Sequence, residues 1–175
     1  MLLFTLFSCK SDDDDVAFTP ENIYENCCST TPVERYFGPG KVYIPNMFTP
    51  NDDGINDLFY VQADDGIEMI EVFRITDEDG NVLHENFSIF PNNIIYSWYP
   101  YDRDTDTATH KGVFNYYIEV KNINDDVFEI TGSACSYVCD ESNPFDDFTN
   151  CAYSMNHNGD GEFDPTVPSQ EPDCP

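Results

Sequence analysis

Six of the seven cysteines lie towards the two ends of this chain, and the hundred or so residues between the two groups hold none. Cys27 and Cys28 come before residue 30; Cys135, Cys139, Cys151 and Cys174 come after residue 134. An even set in an exported chain reads as three disulfides, with 15 possible connectivities. Adjacent cysteines bridge each other only under strain, because a disulfide needs a Cα separation of about 4.4–6.8 Å. At least one of Cys27 and Cys28 is therefore expected to reach the C-terminal segment. Zinc is the other chemistry for Cys135-x3-Cys139, but no neighbouring His or second tight pair accompanies it. Staples are the reading adopted.

Between the cysteine groups, short β-rich runs alternate with turn residues. They fall at 41–45, 57–62, 67–76, 81–86, 94–99, 112–121 and 126–132. The clearest alternation places Phe114, Tyr116, Ile118 and Val120 on one face, opposite Asn115 and Glu119. Asp79-Gly80-Asn81 and Asn124-Asp125-Asp126 supply hairpin-turn chemistry. The expectation is an all-β, Ig-like sandwich of about seven strands over residues 27–133. An irregular, disulfide-rich C-terminal extension over 134–175 completes it. Trp98, the single tryptophan, is expected in the core.

The N-terminus bears on the compartment. Residues 1–8, MLLFTLFS, are too few to span a bilayer, which takes about 20 in a helix, and read as a signal peptide. Leu6-Phe7-Ser8-Cys9 resembles a bacterial lipobox, which implies lipidation (palmitate among the chains) at Cys9. Lys10-Ser11 and the run Asp12 to Asp15 resemble the surface-export signal of Bacteroidota lipoproteins. Residues 9–26 are then a lipidated acidic tether, and the expected location is the outer membrane, facing the cell surface.

Residues 42–61, VYIPNMFTPNDDGINDLFYV, carry a long and specific pattern from Ile44-Pro45-Asn46 to Asn56-Asp57. It resembles the opening of the gliding motility-associated C-terminal domain, the type B sorting domain of type IX secretion. Phe73-Arg74-Ile75, Trp98 and the run Gly112 to Tyr117 fall where that family has its later strands. The likeness covers about 41–133 and implies the sandwich fold. The family's short final strand is replaced here by the extension.

The formal net charge is -27, from 34 Asp+Glu against 7 Lys+Arg. A nucleic-acid partner is excluded on that ground, because phosphate binding needs clustered cations. Aromatics at 15% and hydrophobics at 40% exclude a fully solvated chain. Calcium is one way to tolerate the carboxylates. Asn156, Asn158, Asp160, Glu162 and Asp164 follow the spacing of an oxygen-ligand loop, with Gly161 at its sharp turn. Val167 takes the place of the bidentate Glu of an EF-hand, so the loop resembles a thrombospondin type 3 repeat instead. Asn51, Asp53 and Asp57 repeat part of that phase as a weaker second site. Asp106-Thr107-Ala108 resembles an O-glycosylation motif, with Thr107 as acceptor.

His84, His110 and His157 fall in no H-E-x-x-H pattern, and no nucleophile elbow or phosphate-cradling loop occurs, so no catalysis is expected. The expected function is a surface lipoprotein serving as a non-catalytic interaction module. It would be an accessory subunit of an outer-membrane complex for barrel assembly, secretion or nutrient uptake. Tyr96 to Tyr101 and Pro144 to Phe148 would offer aromatic anchors. The alternatives are a calcium-dependent glycan-binding or adhesion module, and a secreted cargo with a type IX sorting domain.

Overall fold

The structure, a computed structural model, describes residues 22–138, 148, 150–156, 164 and 166–169. Among the described residues ten strands occur in chain order: β1 Val33–Phe37, β2 Gly40–Ile44, β3 Met47–Phe48, β4 Gln62–Ala63, β5 Ile67–Thr76, β6 Val82–Ile89, β7 Tyr101–Asp102, β8 Thr107–Ala108, β9 Gly112–Asn122 and β10 Val127–Ser136. They form a three-stranded sheet β1-β2-β4, a five-stranded sheet β3-β10-β9-β5-β6 and the small hairpin β7-β8. The chain is a β-sandwich.

The core lies between the two larger sheets. Phe37, Val42 and Ile44 of the smaller sheet meet Phe73, Ile75, Phe114, Ile118 and Val120 of the larger one. These positions follow the pleat, since alternate residues of a strand face one side. In β9 the inward set is Phe114, Tyr116, Ile118 and Val120, as the alternation predicts. Trp98 packs edge-on against Phe114 at 4.7 Å between ring centroids and beside Phe48.

Both predicted hairpin turns form, each closed by a side chain just before the named residues, Asp77 and Asn122. Gly80 adopts φ 86° while Asp77 accepts hydrogen bonds from the backbone and side-chain amides of Asn81. Asn122 Oδ1 accepts from the backbone N–H groups of Asn124 and Asp126, and Asp125 has φ 66°. Gly40 and Gly66 serve a different need. A Cβ on Gly66 would lie 2.5 Å from the Gly40 Cα and the Pro39 carbonyl, so the turn before β5 can rest on the turn before β2 only without one.

Several elements differ from the expectation. β1 was not anticipated, because Val33-Glu34-Arg35-Tyr36-Phe37 is mostly exposed and lacks the alternation of a half-buried strand. The 57–62 run is largely irregular, with one bridge from Phe59 to Trp98. The 94–99 run opens as a 3-10 turn, Ile94–Tyr96, capped by the Asn93 side chain. There a local Asx bond outcompetes the β tendency of Ile94-Ile95-Tyr96.

Beyond β10 the chain folds back onto the sandwich. Cys27 bonds to Cys135 and Cys28 to Cys151, so both adjacent cysteines reach the C-terminal part. Around them Tyr24, Met47, Tyr137 and Tyr153 form a second, smaller core. Cys139 and Cys174 lie outside the described residues, as do residues 9–21 of the expected tether, Cys9 among them, whereas Tyr24 of that segment is buried in the second core. Among the described residues no helix is long and apolar enough to cross a membrane.

Candidate functional site: the signature loop and the segment it holds

The pattern from Ile44 to Asp57 begins where the chain changes sheets. β2 ends in the small sheet at Ile44, and β3 opens in the large sheet at Met47, parallel to β10. Pro45 and Asn46 make the step. A switch of this kind leaves backbone groups without ladder partners, and buried backbone groups need partners. Asn46 and the extension supply them. The N–H groups of Asn46 and Met47 both donate to the Ala152 carbonyl, at 3.1 and 3.3 Å. The Asn46 side chain, 1% exposed, accepts from the Ala152 N–H at 2.7 Å. Its Nδ2 donates to the carbonyls of Thr30 and Asn150. One asparagine thus ties the N-terminal arm, the sheet switch and the extension together.

The loop that follows is closed from within. The Thr49 N–H donates to the Asn56 carbonyl. Asp52, Gly54 and Asn56 have φ of 61°, 88° and 50°, the left-handed region that Gly, Asn and Asp enter most readily. The Asp57 carboxylate sits at the centre. Its Oδ1 accepts from the N–H groups of Asn51 and Asp52, and its Oδ2 from that of Gly54, all within 2.9 Å. Asn51 and Asp53 brace each other and the backbone through Asx bonds. Asn56 turns outward from this loop toward the extension. It donates to the Ser169 carbonyl and accepts from the Met155 N–H. Gln62 and Tyr43 add bonds to the carbonyls of Ser154 and Tyr153. Burial pushes the Tyr43 hydroxyl well above the usual phenol range, with Glu34 adding to it.

Beside the loop lies a cleft of about 450 Å³, lined among others by Asp52, Asp57, Tyr60, Ile94, Tyr99 and Arg103. Asp52 accepts from the Tyr99 hydroxyl at 2.6 Å and from Arg103 at 2.8 Å. Those two bonds hold its carboxyl below the usual range. The Tyr99 hydroxyl is raised to about 12, by desolvation first and by the bond to Asp52 second. The Arg103 guanidinium lies over the Tyr99 ring, and Tyr99 stacks on Tyr101. This is an aromatic-walled cleft in which Arg103 offsets one of three lining carboxylates, Asp52, Asp53 and Asp57.

Of the expected calcium positions, the structure brings Asn51, Asp53 and Asp57 into one loop, with the hydrogen bonds just given. Their carbonyl and carboxylate oxygens face the loop's own N–H groups. At the second loop, Asn156 and Asp164 are described, while Asn158, Asp160 and Glu162 lie outside the described residues. Asn156 Oδ1 accepts from the Tyr153 N–H and its Nδ2 donates to the Val167 carbonyl. Asp164 donates its N–H to the Asn156 carbonyl and accepts from the Thr166 N–H and hydroxyl. Among the described residues no three His, Cys, Asp or Glu side chains converge as metal ligands would. Thr107 is exposed on β8, sharing a hydrogen bond with Thr105. Of the aromatic anchors, Trp98 is buried, Tyr99 lines the cleft with Tyr101 stacked on it, and Phe148 lies edge-on to Tyr137. The roles of Asn46 and Asn56 as ties to the extension were missed. The only signal for them was two asparagines, each beside a loop boundary.

Residues 42–134 match the model of the CHU_C type IX secretion signal domain. The chain belongs to that family. The type IX secretion signal domain runs from within β2 almost to the end of β10, so its match takes in every strand of the sandwich but β1. A signal domain of this kind marks a cell-surface or secreted protein. Among curated proteins nothing matches the chain. The tie through Asn46 and Asn56 means that the type IX secretion signal domain here is completed by residues beyond the match, chiefly 150–156 and Ser169.

Proposed function

We propose that this chain is a non-catalytic substrate of type IX secretion, with the sandwich as the part the export machinery reads. The observation that carries this reading is the family match, 42–134, which takes in every strand of the sandwich but β1. A signal read as a fold must be folded when it is read, and the two disulfides favour the oxidising side of the inner membrane. The test fuses residues 22–175 behind a secretory leader and a fluorescent reporter, in a bacterium with type IX secretion. Reporter outside the cells, and its retention when the outer-membrane translocon is deleted, is the expected result. Export that survives the deletion, or retention in both strains, refutes the proposal.

A second reading, a lipid-anchored accessory subunit of an outer-membrane complex, is favoured by Leu6 to Cys9 and the acidic run that follows. Mass spectrometry of the mature N-terminus separates the two. A diacylglyceryl group on Cys9 supports the anchor, and an unlipidated start supports the secreted cargo.

A further inference from the structure

The outer edge of the large sheet is formed by β6, which pairs with β5 on one side only. Such an edge offers a row of unpaired backbone groups, which proteins usually guard with Lys, Pro or a covering element. No Lys, Arg or Pro occurs in Val82–Ile89. Apolar side chains stand open instead. Val82 and Phe87 are each 58% exposed, Phe90 63% and Ile95 83%, with Leu83, Ile94 and Tyr96 also exposed. The 94–96 turn is held against β6, because the side chains of His84 and Asn86 both reach the Tyr96 carbonyl. Leu83 and Phe87 therefore flank the edge on the outer face, while Ile94, Ile95 and Tyr96 flank it on the other.

The charge around this strip selects its occupant. Within 82–96 the single carboxylate is Glu85, which is paired with Arg74. Carboxylates stand at both ends. Glu71 meets Ser88 at one, 4.0 Å from the Lys121 ammonium, and Asp77, Glu78 and Asp79 form the turn at the other. A second copy of a chain with net charge -27 would bring like charges together. We propose that β6 is a docking edge for an extended apolar partner segment flanked at its ends by lysine or arginine, added as a further strand. Main-chain bonds to β6 would give the affinity and the apolar flanks the register. This proposal is independent of the export reading, because it concerns the folded protein alone.

The test titrates purified full-length protein with fluorescent synthetic peptides and reads anisotropy. One peptide carries isoleucine and phenylalanine along its length and lysines at both ends. A second replaces lysine by glutamate, and a third keeps lysine but replaces the apolar residues by serine. Expected is saturable binding of the first, at least about tenfold weaker binding of the other two, and slowed amide exchange confined to 82–89. Phe87→Asp and Ile95→Asp, both at exposed positions, should each weaken binding by about tenfold while leaving the circular dichroism spectrum unchanged. Equal binding of the lysine–serine peptide, unchanged binding by both variants, or protection elsewhere overturns the proposal. So does sedimentation as a dimer that Phe87→Asp dissolves, which would assign the edge to a second copy.

Discussion

Replacing Asn46 by Ala isolates the tie between the sandwich and its extension. The substitution removes two bonds donated by Nδ2, to Thr30 and Asn150, and one accepted by Oδ1 from the Ala152 N–H. Ala152 is itself 2% exposed, so its N–H loses a partner where water does not reach. A buried group left unsatisfied costs about 1–3 kcal/mol, whereas the two carbonyls, nearer the surface, lose about 0.5–1.5 kcal/mol each. The expected loss is about 3 kcal/mol, or roughly 6–12 °C in Tm for a chain of this size. The disulfide from Cys28 to Cys151 still tethers the extension, so the loss should appear as lower stability rather than as two separate transitions. Urea denaturation followed by tyrosine and tryptophan fluorescence measures it, with Asn51→Ala in the exposed loop as the comparison. A loss under about 1 kcal/mol, or one no greater than that of Asn51→Ala, refutes the reasoning.

Gly66→Ala forces backbone apart at the Pro39-Gly40 turn and should cost about 2–3 kcal/mol, read from the same urea midpoints; a neutral change would refute the close approach. Reducing the two disulfides, which span 108 and 123 residues, should destabilise the folded state by several kcal/mol, less than the sum of about 4.7 each because the loops overlap. Burial lowers the pKa of both His84 and His110. The unfolded chain therefore takes up protons first as pH falls, so their contribution is complete above about 6.5 and is lost below it. Relief of carboxylate repulsion on acidification acts the other way, so the quantity to measure is the difference between the parent and His84→Gln/His110→Gln. That difference should shrink from pH 7.5 to pH 5, and a constant difference refutes the assignment.

The sandwich was legible because its deciding residues act locally. The alternation of Phe114 to Val120 and the Asp-Gly turn at 79–80 work within a few residues of themselves. β1 was hidden because its partner, β2, decides it. Arg35 and Tyr36 are exposed, and the pairing of Val33 with Ile44 through to Phe37 with Gly40 is a tertiary fact. The 94–96 turn was misread because Ile-Ile-Tyr carries β propensity while the Asn93 side chain quietly supplies a cap. In the signature loop, Asx-Gly spacing reads equally as an ion site or as a self-bonded turn. That the Asp57 oxygens accept from the N–H groups of Asn51, Asp52 and Gly54 is a matter of side-chain direction, which is not in the letters. The partners of Asn46 and Asn56 lie about a hundred residues away, which no window of sequence contains.

The inward direction of the signature residues has a consequence for export. Asn46, Asn56 and Asp57 are 1%, 6% and 9% exposed, and their polar atoms bond within the molecule. A receptor cannot touch them without unfolding the loop. Substitutions there should impair export only as far as they lower stability, so Asn46→Ala should regain export when cells are grown at a lower temperature. Arg103 differs, because its side chain is 72% exposed at the mouth of the cleft. Arg103→Ala removes an exposed ion pair worth about 0–1 kcal/mol, so any export defect it causes should persist at every growth temperature. The reporter fusion measures both variants, alongside their urea midpoints. If Asn46→Ala keeps parental stability yet abolishes export, the motif is read directly, and the argument from its burial fails.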